Sequence, residues 1–224
     1  MRPYYEAYDD RYRQVHGQGL QWFSDAPTPI VADVMERFGI HRSHRILELG
    51  CGEGRDAGPL LEQGFSVVAT DISATVVDFC RKRWPGFAEN FRTLDCIHGK
   101  LDGTFNFIYA VAVVHMLVQD GDRNGFYRFL RDHLSETGIG LVCAMGDGTR
   151  EWASDPEEAF MLRPRMHQAS GRELMLAGTS CRVVNRDTFC REMEDNGLAV
   201  VESGLTQAPP DFSRMLYAVV KKKS

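Results

Sequence analysis

No stretch of this sequence holds the roughly 20 consecutive apolar residues needed to cross a bilayer as a helix. Its start, Met1-Arg2-Pro3-Tyr4-Tyr5, lacks the apolar centre of a signal peptide. The six cysteines (Cys51, Cys80, Cys96, Cys143, Cys181 and Cys190) form no C-x-x-C pair, so neither a zinc site nor a disulfide framework is expected. Basic excess is missing too: 26 Lys and Arg stand against 31 Asp and Glu, which gives no attractive field for nucleic acid. The one basic run, Lys221-Lys222-Lys223, reads as a solubilising tail. There is no internal repeat and no low-complexity tract. These absences imply a soluble cytoplasmic protein with reduced thiols, a monomer or homodimer, with no metal, nucleic-acid or membrane partner.

What is present is 43% hydrophobic content over 224 residues, enough for one substantial core and a single domain over 1–224. The chain is organised around Ile46-Leu47-Glu48-Leu49-Gly50-Cys51-Gly52-Glu53-Gly54-Arg55. It reads as a buried strand running into a glycine-rich turn, where the missing Cβ atoms permit a tight bend and close approach of a ligand. Strands are expected near 45–49, 66–70, 91–94, 105–114 and 139–145, alternating with helices near 30–38, 74–83 and 123–134. That alternation predicts a doubly wound α/β fold with a mostly parallel sheet. Ser73 and Asn185 stand where helix caps belong, the latter opening a helix over 186–195. Two last extended runs, 198–202 and 215–220, leave no room for a crossover helix and should pair antiparallel. Residues 1–29 form an aromatic arm, with Tyr5, Tyr8 and Tyr12 at helical spacing, and 147–184 read as an insertion over the site.

Three carboxylates fall at the carboxyl edge of this sheet, where open α/β folds bind ligands. Glu48 ends a buried strand, and a carboxylate there is costly to dehydrate unless a cation, such as a ligand ammonium, meets it. Asp71 follows the glycines by about 20 residues, where a carboxylate accepts both hydroxyls of a ribose. Asp95 ends the third strand, within reach of an exocyclic amine. Capping of local turns is the alternative role for Asp71 and Asp95.

The run ILELGCGEGR, the VVATDIS around Asp71, the RTLDC around Asp95 and the closing antiparallel pair resemble the S-adenosylmethionine-dependent methyltransferases of the seven-stranded Rossmann-like class. The GEGRDAGPLLEQG phrase and the aromatic arm are similar to the small-molecule enzymes of the tellurite-resistance and thiopurine type. The resemblance implies S-adenosylmethionine as cofactor, S-adenosylhomocysteine as product and a small-molecule acceptor. It places Gly50, Cys51, Gly52 and Arg55 of the turn near the methionine and ribose, Glu48 at the amino end and Asp71 on the ribose. Ile72 and Val111 would pack on the adenosine, and Asp95 with Cys96 would flank the base. Val113-Val114-His115 stands where DNA and protein amino-methylating members carry Asn or Asp, Pro-Pro and an aromatic, so a nucleobase or glutamine amide is disfavoured.

Methyl transfer asks chiefly for alignment, because holding a nucleophile about 3 Å from an activated methyl supplies several kcal/mol by orientation alone. His115 is the candidate base or pocket-shaping residue, with a structural role as the alternative. Tyr4, Tyr5, Tyr8, Tyr12 and Trp22 are candidates for closing over the cofactor, with Tyr5, Tyr8 and Trp22 also for the acceptor, or for packing on the core. Arg165 and His167, with Arg163 and Arg172, are candidates for an anionic acceptor; solvated surface is their alternative. Two rival functions remain: a cofactor-binding protein without turnover, and a nicotinamide-dependent oxidoreductase, which would want a glycine where Arg55 stands.

Overall fold

Residues 2–223 are described by a computed structural model, in which one seven-stranded sheet carries the molecule. Arg45–Leu49 (β1), Ser66–Asp71 (β2), Phe91–Thr93 (β3), Phe105–Val111 (β4) and Leu134–Met145 (β5) are its parallel strands. The chain then makes two small antiparallel pairs, Trp152–Ala153 (β6) with Arg182–Val183 (β9) and Leu162–His167 (β7) with Arg172–Ala177 (β8). It returns as Leu198–Ala208 (β10) and Phe212–Lys222 (β11), with β11 antiparallel to both neighbours in the order β10-β11-β5-β4-β1-β2-β3. Ala7–His16 (α1), Pro29–Arg37 (α2), Ala57–Glu62 (α3), Ala74–Arg83 (α4), Asp120–His133 (α5) and Arg186–Asp195 (α6) are the helices. This is the doubly wound α/β architecture expected, with its antiparallel close.

The central strands are mostly apolar because helices cover both faces. Ile46, Leu47 and Leu49 of β1 and Phe107, Ile108 and Tyr109 of β4 are fully buried. Each such side chain contributes about 1.5–3 kcal/mol by leaving water. On α2, Ile30, Val31, Val34 and Met35 form the buried stripe that docks one face. The expected caps are in place: Ser73 Oγ accepts from the Val76 amide at 3.2 Å, and Asn185 Oδ1 from Thr188 at 2.8 Å.

Several boundaries differ from expectation. β4 ends at Val111 rather than running to 114, because Ala112 takes a left-handed φ of 60° and turns the chain into a short 3-10 segment, Val114–Met116. The expected turn at 136–138 is a bulge within β5, where pairing jumps from Phe105↔Leu134 to Phe107↔Ile139. α5 begins at Asp120, three residues before the position read from the sequence. The last two strands are longer than expected, 11 residues each. Residues 147–184 carry the two antiparallel pairs and so have structure of their own. No helix among the described residues is long and apolar enough to cross a membrane.

Candidate active site

A cavity of about 660 Å³ opens at the carboxyl ends of β1, β2 and β4, with α1 and the 147–184 insertion around it. Its floor is the glycine turn. Gly50, Gly52 and Gly54 all have positive φ (73°, 51° and 79°), which only glycine adopts cheaply. Their neighbours also explain them: a Cβ at Gly50 would lie 2.3 Å from Val113 Cγ2, one at Gly54 2.5 Å from Trp84 Cζ3, and one at Gly52 3.0 Å from the Tyr12 hydroxyl. The turn is held to β2 because the Gly50 and Cys51 amides both donate to the Thr70 carbonyl, at 2.7 and 2.8 Å.

Glu48 and Asp71 stand on either side of this floor and both line the cavity. Glu48 is 3% exposed, and its Oε2 has no hydrogen-bond partner among the described residues. The buried Tyr109 hydroxyl lies against the Glu48 carboxyl and has no other partner among the described residues. Burial pushes the Glu48 carboxyl well above the usual range, and the charge of Asp56 adds to it. Asp71 Oδ2 accepts from the Gly52 amide at 2.9 Å and Oδ1 from Ser73 at 2.9 Å. Burial nevertheless raises its pKa to about 6, against the pull of those two amides. Ile72, Cys96 and Val111 line the same cavity. So does Asp95, whose Oδ1 caps its own turn through the Ile97 amide at 2.8 Å and whose Oδ2 accepts from the Tyr5 hydroxyl at 3.3 Å.

The aromatic arm is fastened over the site by carboxylates. Glu53, within the glycine turn, is 4% exposed and accepts the Trp22 and Phe23 amides at 2.8 Å each, while its Oε1 meets His16 Nε2 at 2.8 Å. Asp56 accepts the Thr28 amide at 2.6 Å and hydroxyl at 2.8 Å. Asp9 Oδ1 accepts from Ser73 Oγ at 2.7 Å, docking α1 on the start of α4. Arg55 lines the cavity but is engaged with Asp211 at 2.9 Å.

Of the acceptor candidates, Tyr5, Tyr8, Trp22 and Arg165 line the cavity. Tyr8 and Trp22 already hold a cation: the Arg11 guanidinium lies 5.0 and 4.9 Å from their ring centroids. His167 does not line the cavity, contrary to expectation. It is buried as a tie between the β7–β8 hairpin and the arm, with Nε2 2.5 Å from the Gln21 carbonyl and Nδ1 2.7 Å from Ser170 Oγ. His115 lines the cavity and is 4% exposed; its Nδ1 accepts the Met145 amide at 3.5 Å, which leaves the neutral ring's proton on Nε2. Burial, with the Arg123 charge, lowers its pKa to about 4.

Sequence reading missed Glu53, Asp56 and Arg11 as site-building residues. Glu53 lies inside the glycine turn and Asp56 just after it, where a carboxylate among orphan amides was a usable signal. Arg11 carried none, because its partners are 166–168 positions away.

A family model described as a methyltransferase domain matches residues 46–138. No curated protein matches the chain by sequence. Solved structures share the fold. The CcbJ methyltransferase from Streptomyces caelestis is 17% identical with a TM-score of 0.69, over 97% of this chain and 98% of that one. The 1,6-didemethyltoxoflavin-N1-methyltransferase of Burkholderia thailandensis, solved with its named substrate and S-adenosylhomocysteine, is 16% identical with a TM-score of 0.69, over 100% and 92%. The glycopeptide N-methyltransferase MtfA complexed with sinefungin is 20% identical with a TM-score of 0.63, over 90% and 96%. The chain has the Rossmann-like fold of these solved methyltransferases, and its residues 46–138 match the methyltransferase-domain model.

Proposed function

We propose that this protein transfers a methyl group from S-adenosylmethionine to a small-molecule acceptor, working mainly by orientation, with arm, sheet and insertion acting as one cytoplasmic domain. The observation that carries the reading is Glu48, whose Oε2 is buried without a partner on the cavity wall. An unpaired buried carboxylate is costly, and the ammonium group of the cofactor's methionine part would satisfy it. Asp71 has lone pairs beyond its two amide bonds to accept ribose hydroxyls. Ile72 and Val111 supply apolar surface for the adenosine, with Asp95 and Cys96 beside the base and the Cys51 and Arg55 segment bounding the methionine end. The cofactor brings a sulfonium-activated methyl group.

His115 is neutral at pH 7 and too weak a base to take a proton from a hydroxyl, so its role is to shape the wall and offer Nε2–H. An acceptor atom with a free lone pair fits such a site, since it needs no proton removed before attack. Two of the fold neighbours are named as methylating nitrogen.

Calorimetric titration with S-adenosylmethionine, S-adenosylhomocysteine and NADH tests the cofactor: the first two are expected to bind and NADH is not. Mass-spectrometric screening of a metabolite panel for the gain of one methyl group tests turnover. NADH binding without adenosylmethionine binding would overturn the reading, and cofactor binding without any methylated product would reduce it to a binding protein.

A further inference from the structure

Acidic and basic side chains come to the cavity from different elements. The sheet edge presents Glu48, Asp71 and Asp95, while the wall built by α1 and the insertion presents Arg11, Arg163 and Arg165. Arg163 is neutralised by Glu158. The other acid on that wall, Asp155, is engaged in capping its turn through the Glu157 amide at 2.9 Å. Arg11 and Arg165 make no ion pair among the described residues. The nearest hydrogen bond of Arg165 is a long one, 3.5 Å from Nη2 to the Gly178 carbonyl.

Arg11 is the unusual one. It is 6% exposed, so its charge is not a solvated face. Nε and Nη2 are used on the Ala177 carbonyl at 3.2 and 2.9 Å, and Nη2 also meets the Gly178 carbonyl and Thr179 Oγ1 at 2.8 Å each. Thr179 adopts a left-handed φ of 58°, strained for a β-branched residue, in presenting that oxygen. Nη1 takes no part in these bonds; the Tyr8 side chain lies beside the guanidinium, and both residues line the cavity. A guanidinium packed on two rings, with Nε and Nη2 bonded and Nη1 left over, is held in place to donate one further charge-assisted hydrogen bond to an oxyanion.

We infer that the acceptor carries a compact anionic oxygen group, a carboxylate in the simplest case, received by Arg11 Nη1 and Arg165. This rests on the proposed function only for the word acceptor; the site itself is defined by the two guanidiniums. It also orients the ligands, since a cationic cofactor belongs beside the carboxylates and an anionic acceptor beside the arginines.

The test uses benzoate and benzamide as matched probes, titrated calorimetrically into the full chain at low ionic strength, with and without saturating S-adenosylhomocysteine. Benzoate is expected to bind about tenfold or more tighter than benzamide, the effect of charge-assisted hydrogen bonds from two guanidiniums. Arg165→Gln is expected to remove most of that preference, and Arg11→Gln all of it. Because Arg11 also ties the arm, folding of its variant is checked by circular dichroism, and Arg165→Gln carries the test if Arg11→Gln is unfolded. No benzoate binding, equal binding of benzamide, or an undiminished preference in Arg165→Gln would overturn the inference. Failure of S-adenosylhomocysteine to bind while the benzoate preference stands would remove the cofactor reading and leave the oxyanion site.

Discussion

The Asp71 carboxylate accepts the Gly52 amide at 2.9 Å, so the residue proposed to hold a cofactor also fixes the turn on which the cofactor would lie. The proposed binding and the loop geometry thereby depend on one carboxylate. Asp71→Ala is expected to cost roughly 1–3 kcal/mol of S-adenosylhomocysteine affinity, through lost hydroxyl acceptors and a loosened turn. Calorimetry reads this directly, and an unchanged affinity would leave Asp71 with the turn alone.

Glu48→Gln should move stability and affinity in opposite directions. Without ligand, the variant relieves a buried carboxylate that has no partner for Oε2, so its melting temperature is expected to hold or rise. Affinity for S-adenosylhomocysteine is expected to fall by about 1.5–3 kcal/mol, because the ammonium loses a charged acceptor. Loss of both, or of neither, would contradict the role assigned.

Two buried groups give opposed pH dependences. His115 has its pKa lowered from 6.5 to about 4, so its contribution to stability is present above 6.5 and is lost as pH falls through 4. Asp71 is raised from 3.8 to about 6, so its contribution is present below 3.8 and is lost as pH rises through 6. Each is worth on the order of 3 kcal/mol, and between pH 4 and 6 they offset one another. Denaturant midpoints across this range should therefore tilt in opposite senses. His115→Gln is expected to lose stability as pH rises from 4 to 6, and Asp71→Asn to lose it more steeply than the wild type on acidification.

Glu53→Gln is expected to loosen the aromatic arm. Replacing one carboxylate oxygen with an amide donor sets it against an N–H of Trp22 or Phe23, at a cost of about 3 kcal/mol. Limited proteolysis should then cut within residues 17–28 before the sheet core is attacked. A cleavage pattern like that of the wild type would show that the arm is held by Asp56 and Arg11 instead.

Much of the fold was legible because it rests on local chemistry. The period of apolar residues, Ser73 and Asn185 as caps, and the glycines at positive φ each depend on neighbours within a few positions. Boundaries shifted where a tertiary contact overrode that pattern, as at Ala112 and at the bulge in β5 opposite Phe105 and Phe107. At the site, Glu48 and Asp71 were readable from their strand positions. His167 was misplaced and Arg11 was missed, because the partners that decide both, Gln21 and residues 177–179, are distant in sequence.

By itself the sequence determined the parallel sheet, the glycine turn and the carboxylates at its edge, all consequences of periodicity and backbone sterics that act within one strand–turn–helix unit. Only the tertiary structure decided what faces that turn. It packed Val113 and Trp84 against the glycines, set Glu53 and Asp56 to fastening the arm, and left Arg11 and Arg165 on the cavity lining without an ion-pair partner among the described residues. Charge complementarity in a closed site depends on which distant side chains are left without partners after packing, and that is a property of the folded chain rather than of any segment of it.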